Sequence, residues 1–127
     1  MPADVLQWYR NLGLDLIEVY GMTECGGVIC VDPVARQRVI GSAGCAIPFC
    51  GIEARALDGT SAPSRRCLPG VPGVLVVRGP NVTPGYWRQP DLTQAAFDEQ
   101  GYFRSGDAVR FVNDENPAAG LCFDGRI

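Results

Sequence analysis

Residues Tyr20-Gly21-Met22-Thr23-Glu24 combine three side chains that together could recognise a nucleotide. The ring of Tyr20 can stack on a base, the hydroxyl of Thr23 can bond a phosphate oxygen, and the carboxylate of Glu24 can hold Mg²⁺. The stretch follows a short apolar run, so it stands where a strand is expected to end. An ordinary turn with solvated polar side chains has the same pattern, and five residues alone leave both interpretations open.

Two further positions carry chemistry suited to a ribose or a phosphate. Asp107 follows Ser105 and Gly106 at the expected start of a strand, where a carboxylate can accept hydrogen bonds from both hydroxyls of a ribose. The guanidinium of Arg126 offers forked contacts to phosphate or ribose oxygens. A serine-glycine-aspartate turn and an exposed terminal arginine are both common, and each position taken alone favours the simpler interpretation.

The elements that must position these residues change in character near residue 40. An amphipathic helix is predicted at the N-terminus, capped by Asp4 and ended by Gly13. The apolar run at 16–20 that follows indicates a buried strand, and a second apolar run occupies 28–31. Beyond residue 40, Gly and Pro separate shorter apolar runs, and one helix is predicted from a capping box of Asp91 and Gln94. The predicted strands there are 51–57, 73–78, 107–112 and 121–123, with loops at 60–72 and 113–120.

The predicted fold class is therefore α/β and rich in β structure. Residues 1–40 are predicted to form part of an α/β sheet subdomain, with one strand and its helix. Residues 41–127 are predicted to form a distorted, β-barrel-like subdomain. The continuous apolar run at 74–77 indicates a strand covered on both faces, whereas 107–112 alternates as a half-exposed strand does.

Composition excludes several classes of function. The chain has 127 residues and a net charge of −3, which argues against a general nucleic-acid binder. All 11 basic residues are Arg, so the chain offers neither a His base nor a Schiff-base Lys. No apolar run reaches the length of a membrane span and no secretory signal is visible, so a cytoplasmic location is expected.

The six cysteines and one aromatic pair have competing interpretations. In a reducing compartment the cysteines are predicted to be buried free thiols. The spacings Cys25-x₄-Cys30 and Cys45-x₄-Cys50 leave a zinc module as the alternative. Tyr86 and Trp87 could form a stacking platform for nucleic acid, but core or turn packing is predicted because no basic stripe accompanies them.

The motifs taken in series are more specific than any one of them. In chain order they are Tyr20-Gly21-Met22-Thr23-Glu24, Gly41-x-x-Gly44 with Pro48, Arg78-Gly79-Pro80, Gly85-Tyr86-Trp87, Phe103-Arg104-Ser105-Gly106-Asp107 and Gly125-Arg126. This series resembles the adenylate-forming (AMP-binding) superfamily, and Met22 favours its acyl- and aryl-CoA ligase branch. Residues 76–127 are most similar to feruloyl-CoA-synthase-like ligases. Tyr20 stands where that subgroup usually carries Trp, which leaves the acid substrate open.

The resemblance implies a reaction and a set of roles. Members of the superfamily join a carboxylic acid to ATP as an acyl-adenylate, and coenzyme A then displaces AMP. By motif match, the cofactor-binding residues would be Tyr20 on adenine, Gly21 beside it, Thr23 on the α-phosphate, Asp107 on the ribose hydroxyls and Arg126 on ribose or phosphate. Glu24 would be the Mg²⁺ ligand, and Thr23 and Glu24 together would be the catalytic residues.

The resemblance also implies that parts of the machinery are missing. The family's phosphate-binding loop has no counterpart in this sequence, and the chain stops about where the hinge to a small, lysine-bearing C-terminal domain is expected. The chain is therefore expected to be a fragment of the large N-terminal domain, inactive alone. Self-association or a complementing fragment is expected because apolar surface would be left uncovered. A non-catalytic nucleotide- or partner-binding fragment is the alternative.

Overall fold

The computed structural model describes residues 1–32, 39–56, 67–68, 70–112 and 120–127. Its elements, in chain order, are α1 (Ala3–Asn11), β1 (Val19–Tyr20), a 3₁₀ turn (Thr23–Cys25), β2 (Cys30–Val31), β3 (Cys45–Ala46), β4 (Gly51–Arg55), β5 (Gly73–Arg78), α2 (Pro90–Ala96), β6 (Phe103–Phe111) and β7 (Leu121–Arg126). Within those residues, neither helix has the length and apolar character needed to cross a membrane.

The larger sheet is an antiparallel meander in the order β4-β5-β6-β7. Its second strand, β5, is the centre of the core: Leu75 and Val77 are fully buried and Val76 is nearly so. Successive side chains of a strand point to opposite faces, so burial of three in a row confirms that both faces of β5 are covered. Along β6, buried Val109 and Phe111 flank the exposed Arg110, which confirms the predicted alternation.

The smaller sheet is antiparallel in the order β1-β2-β3 and carries the first candidate motif at its edge. Tyr20 pairs with Cys30, and Cys30 pairs in turn with Ala46. The buried side chains of Ile29 and Cys30 belong to the same apolar cluster as the core of the larger sheet. The two sheets therefore share one core, which fixes the end of β1 relative to β6 and β7.

Both predicted helices form, but neither predicted cap does. Asp4 and Asp91 lie inside the first turns of α1 and α2, and no side-chain hydrogen bond caps either helix. In α2 the first helical residue is Pro90, which has no N–H to satisfy and a backbone angle already suited to a helix. The capping-box prediction placed the N-cap at Asp91, two residues after the observed N-cap, Gln89.

The strands confirm the α/β, β-rich character but differ in extent from the prediction. The runs 16–20 and 28–31 contribute only two-residue strands, whereas β6 begins at Phe103 rather than Asp107 and β7 continues to Arg126. Among the described residues the larger sheet stays open, without the closure of a barrel. Most of the predicted loops 60–72 and 113–120 lies outside the described residues, and the division at residue 40 stays a prediction.

Candidate functional site

Asp107 owes its position to an irregularity in the middle of β6. The β5–β6 register shifts between Val74 and Val76, so the β6 partners of these two residues are Ala108 and Arg104, four positions apart. Gly106 adopts a positive φ of 73° within this bulge, a conformation that favours glycine. The predicted turn before a strand is therefore wrong: the serine and glycine form a bulge inside the strand.

The hydroxyl of Ser105 fixes the direction of the chain through this bulge. Its Oγ donates to the carbonyl oxygen of Leu75 at 2.9 Å and accepts from the backbone N–H of Asp107 at 3.1 Å. The carboxylate of Asp107 is thereby turned toward β1 and β7, and only 5% of the residue remains exposed. Bulges next to active sites commonly aim a side chain in this way.

Three of the predicted site residues meet at this carboxylate. The O–H of Tyr20 donates to Oδ2 of Asp107, although 87 positions separate the two residues. Arg126, the β7 partner of Asp107, places Nε 3.1 Å from Oδ1 in an ion pair. That pair lacks hydrogen-bond geometry, and Oδ1 is buried without any hydrogen-bond donor in the described part of the chain. A buried carboxylate oxygen in this state is suited to a hydroxyl donor from a ligand.

The environment of Tyr20 keeps its phenol protonated. Burial first, and then the hydrogen bond to Asp107, raise the pKa of Tyr20 far above its ordinary value of 10.0. Its ring lies 6.1 Å from that of Phe123, with the two planes inclined by 31°. Phe123 is half exposed, so the pair offers an accessible aromatic surface beside the buried carboxylate.

Gly21 lies so close to the backbone of Gly27 that the fold requires a glycine at this position, which the motif alone does not show. A Cβ atom at this position would lie 1.5 Å from the carbonyl oxygen of Gly27, so no other residue fits without moving the backbone. The close approach is fixed by hydrogen bonds from Ile29 N to Tyr20 O at 2.8 Å and from Gly27 N to Met22 O at 3.0 Å. The chain after β1 therefore folds back tightly and presents the next residues on a turn.

Thr23 and Glu24 lie on this 3₁₀ turn, which Gly26 ends in a left-handed conformation. The Thr23 side chain is exposed, and one carboxylate oxygen of Glu24, Oε1, accepts a hydrogen bond from the Tyr86 hydroxyl at 3.1 Å. Burial, and then this hydrogen bond, raise the pKa of Tyr86, so its phenol remains a donor. The turn thus offers one hydroxyl and one oriented carboxylate close to Tyr20 in the chain.

The donor chemistry of this turn fits Mg²⁺. Magnesium prefers oxygen ligands, keeps several waters, and is commonly held by one or two carboxylates together with substrate phosphates. Glu24 supplies such a carboxylate, and Thr23 supplies a hydroxyl one residue away. Oδ1 of Asp107, which is ion-paired with Arg126 but has no hydrogen-bond donor among the described residues, fits the hydroxyl of a sugar.

Three residues of this site were assigned no role in it from the sequence: Ser105, Phe123 and Tyr86. Serine two positions before aspartate is a common local hydrogen-bonding pattern, so Ser105 carried a detectable signal. The contacts of Phe123 and Tyr86 join residues far apart in the chain, which no local pattern predicts. Core or turn packing was predicted for Trp87, and the structure places it in a turn, where it is 84% exposed.

The cysteines are free thiols, and four of them are buried: Cys25, Cys30, Cys50 and Cys122. Burial raises the pKa of Cys25 to about 11 and that of Cys30 to about 12. No group of three or more Cys, Asp or Glu side chains among the described residues is arranged to hold a metal ion. The zinc module considered from the cysteine spacing therefore has no support in the described structure.

Comparison with known proteins gives consistent matches. A family model described as "AMP-binding enzyme" matches residues 1–87. A feruloyl-CoA synthase from Amycolatopsis sp is 36% identical over 115 residues, which cover 90% of this chain and 22% of that protein. This chain therefore spans about a fifth of the length of such relatives.

Solved structures agree with these sequence matches. ATP-bound MatB from Rhodopseudomonas palustris superposes with a TM-score of 0.84 at 30% identity, over 98% of this chain and 23% of the other. O-succinylbenzoate coenzyme A synthetase from Bacillus subtilis, in complex with AMP, gives a TM-score of 0.79 at 27% identity, over 98% of this chain and 24% of the other. The fold described above is thus similar to parts of proteins that were solved with adenine nucleotides bound.

Proposed function

The chain belongs to the AMP-binding enzyme family, and from that premise we propose that it forms the nucleotide-recognition part of an ATP-dependent acid–CoA ligase. The observation that carries this proposal is the buried Asp107, whose Oδ2 is bound by Tyr20 while Oδ1 has no hydrogen-bond donor among the described residues. A ribose diol would supply the donor that Oδ1 lacks. The neighbouring aromatic pair of Tyr20 and Phe123 would then lie beside the adenine ring.

The 3₁₀ turn would serve the phosphate end of the same nucleotide. In this proposal the Thr23 hydroxyl bonds the α-phosphate and the Glu24 carboxylate holds Mg²⁺, while Gly21 allows the tight reversal that sets their positions. When bound, the metal supplies positive charge that offsets the charge developing on the phosphates. The guanidinium of Arg126 is largely exposed, so its remaining N–H groups can reach ribose or phosphate oxygens.

The proposed reaction has two steps. A carboxylate oxygen of the acid attacks the α-phosphorus of ATP, the bond to pyrophosphate breaks, and an acyl-adenylate forms. The thiol of coenzyme A then attacks the acyl carbonyl, and AMP leaves. The residues described above orient the nucleotide for the first step, in which positioning and charge stabilisation dominate catalysis. The acid itself stays open, and the cytoplasmic location stays a prediction.

Calorimetric titration of the 127-residue chain with AMP tests the ribose role of Asp107. We expect saturable binding that weakens about tenfold or more in Asp107→Asn, because charge-assisted hydrogen bonds contribute roughly 1.5–3 kcal/mol. The matched control is Asp124→Asn, which removes a carboxylate from the neighbouring strand that pairs with Arg110 instead. Equal AMP affinity in wild type and Asp107→Asn would contradict the ribose role.

The isolated chain is expected to bind nucleotide but not to catalyse the reaction. The sequence has no lysine and so lacks the group that the family uses for adenylation. We propose that the isolated chain is inactive. The alternative function, a non-catalytic nucleotide-binding fragment, predicts the same lack of activity. The same preparation should show no acid-dependent ATP–pyrophosphate exchange, and robust exchange would overturn this part of the proposal.

A further inference from the structure

The loop 79–86 contacts the 3₁₀ turn at three points, although the two segments lie more than fifty positions apart. Nδ2 of Asn81 donates to the carbonyl oxygen of Cys25 at 3.0 Å, and the backbone N–H of Thr83 donates to the carbonyl oxygen of Glu24 at 2.7 Å. The third contact is the hydrogen bond from Tyr86 to the Glu24 side chain. Two contacts therefore hold the backbone of the turn, and one holds its carboxylate.

The loop 79–86 also makes close contacts with the rest of the chain at both of its ends. Where it leaves β5, a Cβ on Gly79 would lie 2.7 Å from the carbonyl oxygen of Phe49, so the chain passes too close for any side chain. At its other end, the backbone N–H of Tyr86 donates to Oγ1 of Thr93 in α2 at 2.9 Å. The same Thr93 hydroxyl donates to the carbonyl oxygen of Gln89 at 2.9 Å, which fixes its orientation.

From these contacts we infer that Tyr86 is a positioning residue for Glu24, and that the loop 79–86 is a clamp that holds the metal-binding turn in place. This inference rests on the proposed function of Glu24 as the Mg²⁺ ligand and adds to it. The Tyr86 hydroxyl engages Oε1 and so limits the rotation of the carboxylate, which leaves Oε2 to face a metal. Partners of this kind behind a metal ligand commonly change metal affinity by about 10–100-fold.

Through the clamp, helix α2 contributes to nucleotide binding, a role that the sequence of the helix does not suggest. The proposed metal ligand lies on the turn after β1, but its carboxylate is hydrogen-bonded by Tyr86, a residue whose backbone N–H is bound to Thr93 of α2. The hydroxyl of Thr83 also holds the loop 79–86 in its conformation, because it donates to Gly85 O at 3.0 Å and accepts from Gly85 N at 3.2 Å.

The test compares two ligands on the variant Tyr86→Phe, which removes one hydroxyl and keeps the ring. In calorimetric titrations, the affinity for Mg·ATP should fall about tenfold or more, while the affinity for AMP without magnesium should match wild type. Trp87→Phe is the matched control, because this neighbouring aromatic is 84% exposed and lies outside the clamp. Unchanged Mg·ATP affinity, or an equal loss for AMP, would overturn the inference.

A second measurement needs no nucleotide. A double-mutant cycle of Tyr86→Phe and Glu24→Ala, read by urea unfolding, should show a coupling of about fivefold in the folding equilibrium constant. Absence of coupling overturns the clamp. If the chain binds neither AMP nor Mg·ATP, the proposed function fails for this chain, and the cycle then decides the Tyr86–Glu24 contact on its own.

Discussion

At the scale of single residues, burial raises the pKa of the buried thiols as it raises the pKa of Tyr20 in the candidate site. Cys30 is fully buried in β2, and burial raises the pKa of its thiol to about 12 from an ordinary value of 9.0. The unfolded chain releases this proton near pH 9, whereas the folded chain keeps it until about pH 12. Between these values the unfolded state binds fewer protons, so stability must fall as the pH rises.

We therefore expect the free energy of unfolding to decrease from about pH 9 to about pH 12, with the contribution of Cys30 fully present below pH 9. The slope from one thiol is at most about 1.4 kcal/mol per pH unit. Urea unfolding of wild type and Cys30→Val across this range measures it. The variant should lose stability less steeply than wild type, and identical slopes would show that Cys30 does not carry the effect.

At the scale of elements, one buried ion pair joins β4 to the segment between α2 and β6. The guanidinium of Arg55, at the end of β4, pairs with Asp98 and donates to Gln100 Oε1 at 2.9 Å. It also pairs with Glu53 at 3.1 Å and lies 4.4 Å from the centroid of the Tyr102 ring. Asp98, Gln100 and Tyr102 all precede β6, so the network ties the end of β4 to the segment that leads into β6.

Breaking this network should cost far more than breaking an exposed pair. Arg55→Met leaves the Asp98 carboxylate buried without its partner, and we expect a loss of about 3–5 kcal/mol in the free energy of unfolding. Arg110→Met is the matched control, because its pair with Asp124 is partly exposed and should contribute about 1 kcal/mol or less. Urea denaturation of both variants checks this, and equal losses would refute the structural role of Arg55.

At the scale of the whole molecule, the N-terminal part of the chain leaves apolar surface uncovered. Helix α1 has no buried residue, and Trp8 and Leu12 are each 57% exposed. The segment that follows exposes Ile17 and Val19 to a similar degree. A series of exposed apolar side chains over one stretch is typical of a surface that another polypeptide covers.

We accordingly expect the isolated chain to self-associate, with a complementing fragment of a longer ligase as the alternative partner. Light scattering should give a mass above the 13.6 kDa of one chain. The double variant Trp8→Ser and Leu12→Ser should shift the mass toward that of the monomer, whereas Trp87→Ser, on a separate turn, should not. A wild-type monomer with cooperative melting would contradict this prediction.

The sequence by itself determined both helices, the central strand β5 of the larger sheet and the residue types of the site. The continuous apolar run 74–77 has the composition of a buried strand, and β5 forms with the bounds predicted around it, Gly73–Arg78. The five residues 20–24 carry an aromatic ring, a hydroxyl and a carboxylate within one turn of chain. Such features depend on neighbours in sequence, so local patterns predict them.

Only the tertiary structure decided how these residues combine. The contact of Tyr20 with Asp107 spans 87 positions, and that of Glu24 with Tyr86 spans 62. The first contact depends on strand register and on the bulge at Gly106, and a slip of one residue would turn the carboxylate of Asp107 to the opposite face of the sheet. Register is set by the shared core of the two sheets, and no local pattern in the sequence reports it.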